Sequence, residues 1–320
     1  MNRKKVVLLD RDTMGPDIEL TRPDFEHEWV EYDRTSEDQV VERLAGAEVA
    51  ITNKVPLREA SLSSLPDLKM ISVAATGYDV IDIDACIKRG IQVSNVRGYA
   101  INTVPEHTFS LILSLRRSIN AYAQDVIDGE WERAQQFCFF NHPISDLAGS
   151  RLGLIGEGAI GQAVAQLGRA FGMEIMFAAH KGVDGLGPLY TPWDEVIETA
   201  DVISLHAPLT KHTHHCIGPA EFAQMKRKPL IVNTARGGLV DEAALVTALK
   251  AGQISGIGFD VFSQEPPDNT NPIMSVLERP DVVATPHIAW ASIEARREVW
   301  RQTMLHINDY ARNVVTNNLT

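Results

Sequence analysis

The chain has 320 residues, of which 44% are hydrophobic and 22% charged, and a formal net charge of −12. This is the composition of a globular protein long enough for two domains of ordinary size. The acidic balance argues against nucleic acid or an anionic membrane as main partner, so an anionic ligand needs a local cationic pocket.

Three cysteines, Cys86, Cys138 and Cys216, are widely separated and form no close pair. Buried free thiols in a reducing compartment are expected. The basic opening Met1–Lys5 is followed by only four apolar residues before Asp10, too short for a signal-peptide core. No run reaches the roughly 18 apolar residues of a membrane span. The expectation is a cytoplasmic protein without a membrane partner.

Along the chain, short β-rich runs alternate with helical patterns, which predicts parallel α/β architecture. The first strands are expected at Lys5–Leu9, Glu28–Tyr32, Glu48–Thr52, Lys69–Ala74 and Ile91–Ser94. Helical stretches lie between them at Glu37–Leu44 and Asp82–Arg89, the second ending at Gly90. A long, mostly apolar helix is then expected from Asn102 to about Ile119, with Val104-Pro105-Glu106 as its first turn. Its apolar face exceeds what one domain needs to cover, which makes it a candidate dimer contact. A second series of six strands follows at Arg151–Ile155, Glu174–Ala178, Asp201–Leu205, Leu230–Asn233, Gly256–Val261 and Val282–Thr285. A last helix, from Ser292 to about Tyr310, is expected to cross back onto the first domain. The predicted fold is therefore α/β with two doubly wound domains. Residues 101–289 form a dinucleotide-binding domain, and residues 1–100 with 290–320 a smaller, discontinuous substrate domain.

The glycine turn Gly156-Glu157-Gly158-Ala159-Ile160-Gly161 lies between an expected strand and an expected helix. Its glycines allow the backbone to approach a pyrophosphate seated on the helix N-terminus, the Rossmann arrangement. The next strand usually ends on an acid that binds the ribose 2′-OH. Here the residues are Ala179, His180 and Lys181. Without a carboxylate there is no repulsion against a 2′-phosphate, and His180 with Lys181 could supply positive charge. NAD(P)(H) is thus the expected cofactor, leaning towards NADP(H).

Arg236, Glu265 and His287 each follow one of the last three strands. Ligands of open α/β sheets lie beyond the carboxyl ends of strands, so one edge would receive a guanidinium, a carboxylate and an imidazole. Reducing a ketone by hydride requires a proton for the oxygen, which histidine is suited to give near neutral pH. A neighbouring acid orients the ring, and an arginine grips a carboxylate in bidentate fashion. His206-Ala207-Pro208 ends another strand at this edge, leaving open whether His206 and Pro208 line the cofactor or form a turn. The run His212-Thr213-His214-His215-Cys216 looks metal-like, but adjacent histidines do not readily chelate one ion. It is read as a solvated or capping turn, and no metal is expected.

Several segments resemble the signatures of the D-isomer-specific 2-hydroxyacid dehydrogenase family. They are Asn233-Thr234-Ala235-Arg236-Gly237-Gly238, Gly258-Phe259-Asp260-Val261, Gln264-Glu265-Pro266-Pro267 and Thr285-Pro286-His287-Ile288. The resemblance covers essentially the whole chain. Asn102-Thr103-Val104-Pro105-Glu106-His107, Gln136-Phe137-Cys138 and the run His287–Ser292 are most similar to the glycerate dehydrogenase/hydroxypyruvate reductase branch. The resemblance implies a Rossmann domain and a flavodoxin-like substrate domain, with Arg236 substrate-binding, Glu265 the orienting acid and His287 the acid/base. It places Ala159 and Ile160 at the cofactor phosphates, and Thr103, Thr234, Ala235, Arg236, Asp260, His287 and Trp290 around the nicotinamide. Ala75, Thr76 and Gly77 match the loop whose amides hold the substrate carboxylate. The expected reaction reduces a small 2-keto acid, hydroxypyruvate to D-glycerate first, with glyoxylate to glycolate as a side activity. The alternatives are 3-phosphoglycerate dehydrogenase, for whose phosphate the Ala74–Val80 loop offers no cation, and a non-catalytic NAD(H) sensor. A homodimer through the dinucleotide-binding domain is expected.

Overall fold

Short runs of Val, Ile, Leu and Ala form the inner strands, which are buried on both faces, as parallel sheets require, while the edge strands are partly exposed. The computed structural model describes residues 3–183 and 185–320. It divides into one unit of Met1–Tyr99 with Ala291–Thr320 and a second unit of Ala100–Trp290.

In the first unit the strands are β1 (Lys4–Leu8), β2 (His27–Glu31), β3 (Val49–Thr52), β4 (Met70–Val73) and β5 (Gln92–Asn95). They pair in parallel in the order β2-β1-β3-β4-β5, which is the flavodoxin-like winding. β3 and β4 are buried along their whole length. The Ile83–Arg89 helix opens on Asp82, whose side chain accepts from Ala85 N, and closes on Gly90 in the left-handed conformation. The Ile293–Ala311 helix returns to this unit, where Trp300 Nε1 donates to Thr21 O at 3.1 Å. The chain then adds an antiparallel bridge between Asn318 and Ser94.

The second unit holds seven parallel strands: β6 (Arg151–Ile155), β7 (Glu174–Ala178), β8 (Tyr190–Thr191), β9 (Val202–Leu205), β10 (Leu230–Asn233), β11 (Gly256–Phe259) and β12 (Val282–Ala284). Their order is β12-β11-β10-β9-β6-β7-β8. This is the Rossmann winding with one further strand. The expected six become seven because β8 is two residues long and carries no apolar run. Successive strand side chains face opposite ways. Leu152 and Leu154 join one core with the helices over that face, while Ile203 and Leu205 join the core on the other.

The long apolar helix is shorter than expected and belongs inside this unit. It spans Thr103–Arg116 and buries Val104, Pro105, Thr108, Phe109, Leu111, Ile112 and Leu115. Those residues pack with the Ala159–Ala170 helix and with β10 and β11, so the apolar face is covered without a second copy. Each large side chain buried in this way is worth about 1.5–3 kcal/mol. Ser118, at φ 49°, breaks the helix before the next one, Ile119–Ile127. The exposed apolar surface lies beyond that break, where Phe137 is 93% and Phe140 82% exposed. The expectation of buried thiols holds for Cys86 and Cys216, whereas Cys138, in this same exposed segment, is open to solvent. Among the described residues, no helix is long and apolar enough to cross a membrane.

Candidate active site

β10, β11 and β12 are neighbours in the sheet, so the loops leaving their carboxyl ends lie side by side. The first loop carries Arg236, half-buried, whose Nη1 donates to Ala235 O at 2.8 Å. Asn233 shapes this turn, accepting from Ala235 N at 3.1 Å and donating to Arg236 O at 2.9 Å. A Cβ on Gly237 would lie 1.9 Å from Phe262 C, so only glycine lets the second loop pass this closely. That second loop carries Glu265. The third carries His287, whose Nδ1 lies 2.6 Å from Glu265 Oε2.

This contact fixes the state of the imidazole. The carboxylate accepts, so Nδ1 bears the proton and Nε2 is the nitrogen left for a reacting atom. Glu265 Oε1 meanwhile accepts from Phe262 N at 3.0 Å. His287 sits at φ 55°, a sparsely populated conformation for a side chain of its size. Asp260, fully buried, holds it there. Its carbonyl accepts from His287 N at 2.8 Å, and its carboxylate accepts from Ile288 N at 2.9 Å, Ala289 N at 2.8 Å and Thr285 Oγ1 at 2.5 Å. Thr285 spends its one proton on Asp260, so His107 Nε2, 3.0 Å from Thr285 Oγ1, is the donor in that contact. Thr234 Oγ1 shares a hydrogen bond of 3.0 Å with Thr108, which ties the Arg236 turn to the helix that begins at Thr103. Trp290 follows, half-buried, at the end of the unit.

The model of the D-isomer specific 2-hydroxyacid dehydrogenase, NAD binding domain, matches residues 109–289. A glycerate dehydrogenase of Methylorubrum extorquens is 50% identical over 293 residues, 91% of this chain and 91% of that one. The chain belongs to the D-isomer specific 2-hydroxyacid dehydrogenases. A hydroxypyruvate reductase of Blautia hydrogenotrophica is 31% identical over 98% of both chains. Among solved structures, the TT0316 protein from Thermus thermophilus superposes with a TM-score of 0.85 at 29% identity, over 99% of this chain and 100% of that one. The protein is thus an oxidoreductase of 2-hydroxy and 2-keto acids that uses a nicotinamide dinucleotide.

The glycine turn of the dehydrogenase fits that cofactor. Gly156 adopts φ +110°, and a Cβ there would meet the His206–Ala207 backbone at 2.6 Å. A Cβ on Gly161 would fall 2.1 Å from Gly156 O. On Gly158, by contrast, it would point into open space. The first and third glycines therefore permit the tight turn, and the second leaves room for a pyrophosphate. Gly158 is the N-cap of the Ala159–Ala170 helix and makes no side-chain cap, so the amides around Ala159 and Ile160 remain available to an anion. β6 and β9 are adjacent but lead to opposite sides of the sheet, which puts Gly156 and His206 at the switch point.

Ala179 is buried at the end of β7 with its N–H on Thr191 O, while His180 is exposed. Lys181 ion-pairs with the buried Glu221 at 2.6 Å, which in turn accepts from Gly218 N at 3.0 Å. Its charge is already matched, whereas the expectation is that Lys181 together with His180 could supply positive charge. The Thr210–Thr213 turn is held by its own hydroxyls, the last of them bonded to Pro208 O. The rings of His214 and His215 stack at 3.9 Å. In the first unit, Ala75, Thr76 and Gly77 leave the carboxyl end of β4, and Thr76 Oγ1 donates to Val96 O at 2.7 Å.

His206 bonds Ser204 Oγ through Nε2 at 2.9 Å, while its buried Nδ1 has no partner among the described residues. Burial pushes its pKa down to about 4. An unfolded histidine takes up its proton near 6.5, so between these values the unfolded state binds more protons and stability falls as the pH is lowered. The loss should reach at most about 3 kcal/mol and level off below pH about 4. His306, buried in the first unit, has its pKa lowered in the same direction. Urea unfolding followed from pH 7 to 4.5 should show the midpoint dropping, less steeply in His206→Asn. The same pH dependence in His206→Asn as in the unaltered protein would contradict the burial of His206.

Sequence reasoning missed His107 and Glu242. His107 stands in the sequence only as the end of the family-like Asn102–His107 segment, with no role of its own. Glu242 reads as an ordinary first-turn acid, and only the loop that folds back onto it reveals more.

Proposed function

We propose that this dehydrogenase reduces hydroxypyruvate to D-glycerate, with glyoxylate to glycolate as a side activity. The observation that carries the proton-transfer chemistry is the 2.6 Å contact of His287 Nδ1 with Glu265, in the loops next to Arg236. The choice of hydroxypyruvate is supported by the 50% identity with a glycerate dehydrogenase. When bound, a nicotinamide supplies the hydride to the keto carbon. His287 delivers a proton from Nε2 to the keto oxygen, and Glu265 keeps the ring aimed and balances its charge. Arg236 grips the substrate carboxylate, and we assign further carboxylate contacts to the amides of Ala75, Thr76 and Gly77.

We assign the pyrophosphate to Gly156, Gly158, Ala159, Ile160 and Gly161. The nicotinamide side falls to Thr103, Thr234, Ala235, Asp260 and Trp290, and the cofactor edge at the switch point to His206 and Pro208. A preference for NADPH rests on Ala179, which offers no carboxylate against a 2′-phosphate, and on the exposed His180 rather than on Lys181. The test is steady-state kinetics with NADH and NADPH against hydroxypyruvate, glyoxylate, pyruvate and 3-phosphohydroxypyruvate. Hydroxypyruvate with NADPH should give the highest kcat/KM. Equal efficiency with both cofactors would defeat the reading of Ala179. Cofactor binding without turnover of any keto acid would favour a sensor.

The protein acts as a homodimer through its dinucleotide-binding unit, and the exposed side chains of Ile127, Phe137 and Phe140 supply the apolar surface. Sedimentation as a monomer at micromolar concentration would contradict this. Free thiols suit a reducing compartment, and we place the enzyme in the cytoplasm, which cell fractionation tests.

A further inference from the structure

Glu265 lies on an excursion from Phe262 to Asn271 that has no helix or strand of its own. An exposed loop holds a side chain in register only if its base is fixed. At that base stands Glu242, the first residue of the Glu242–Lys250 helix and only 7% exposed. Its Oε1 accepts from Ser263 N at 2.7 Å, and its Oε2 accepts from Ser263 Oγ at 2.6 Å and from Asn271 Nδ2 at 2.8 Å. Asn271 is buried too, and its Oδ1 accepts from Ile273 N at 3.0 Å. That bond fixes the direction of the amide, with the NH₂ towards Glu242.

One carboxylate thus closes both ends of the excursion, stabilised by three donors and by its place at a helix N-terminus. Gly237 completes the fit from the other side, since a Cβ there would lie 2.3 Å from Ser263 N. With Ser263 fixed, Phe262 N reaches Glu265 Oε1, and Oε2 is left for His287. We propose that Glu242 is a positioning residue for the reaction: by holding Ser263 and Asn271 it sets where the Glu265 carboxylate meets His287. This rests on the proposed roles of Glu265 and His287.

Two variants test it. Glu242→Gln turns an amide NH₂ against the donors of the loop, and Ser263→Ala removes one hydroxyl at the surface. Proton NMR of the intact protein reads the pair directly, because a short His287 Nδ1–H bond to a carboxylate resonates far downfield. Loss of the signal in Glu265→Gln identifies it. The signal should move upfield in Ser263→Ala and move further or vanish in Glu242→Gln. In parallel, kcat should fall roughly 10–100-fold in Glu242→Gln, as for a misplaced reacting group. In a Glu265→Gln background the same change should add nothing. An unmoved resonance in both variants, or losses that multiply in the double variant, would overturn the proposal. A wild-type protein that turns over no keto acid would instead contradict the proposed function, and the resonance would still decide the role of Glu242.

Discussion

Replacement of His287 by alanine should lower kcat for hydroxypyruvate reduction by roughly 10²–10⁴, the usual worth of a placed general acid. The residue is prepared for that task twice over. Glu265 occupies its Nδ1 at 2.6 Å, and Asp260 holds its backbone at φ 55°. A proton delivered as the bond to hydride forms is an interaction of the transition state, so kcat and kcat/KM should fall together. Cofactor affinity, measured by quenching of tryptophan fluorescence, should change little. Near-normal turnover in this variant would refute the role given to His287.

Asp260→Ala should be nearly as damaging, by a different route. The side chain is fully buried and accepts from two backbone amides and a hydroxyl. Removing it leaves Ile288 N and Ala289 N without their acceptor beside the buried Asp260 position, at a cost of about 2–5 kcal/mol of stability. The His287 loop, no longer pinned, should relax from its left-handed conformation. Activity should then drop by at least about 10²-fold, since a shift of about an ångström at a reacting group has that effect. Asp260→Asn keeps an acceptor for one amide and should retain more of both properties. Thermal unfolding alongside kinetics separates the effects. A variant that loses stability but keeps its turnover would show that Asp260 serves the fold and not the site.

What sequence could reveal here follows from how local each feature is. The glycine turn was legible because its spacing between strand and helix is a local requirement, and Gly156 and Gly161 show the close contacts that demand it. The last three strands were legible as apolar runs, and with them the placement of Arg236, Glu265 and His287 at one edge. Partners set by folding were not legible. Lys181 reads as an open cation until Glu221, forty residues on, is seen to match it. The Thr103–Arg116 helix reads as a contact surface because its length suggests excess apolar area, which β10, β11 and a neighbouring helix in fact cover. Glu242 lies in no family-like segment and His107 only closes the Asn102–His107 segment, since what gives each its role is a hydrogen bond to a residue 21 or 178 positions away.

Glu265 works only through His287, and a double-mutant cycle on these two residues decides whether that is so. Single variants Glu265→Gln and His287→Ala should each lower kcat for hydroxypyruvate, and the double variant should be no slower than His287→Ala alone. Losses that multiply in the double variant would mean that the two side chains act separately, contradicting the account.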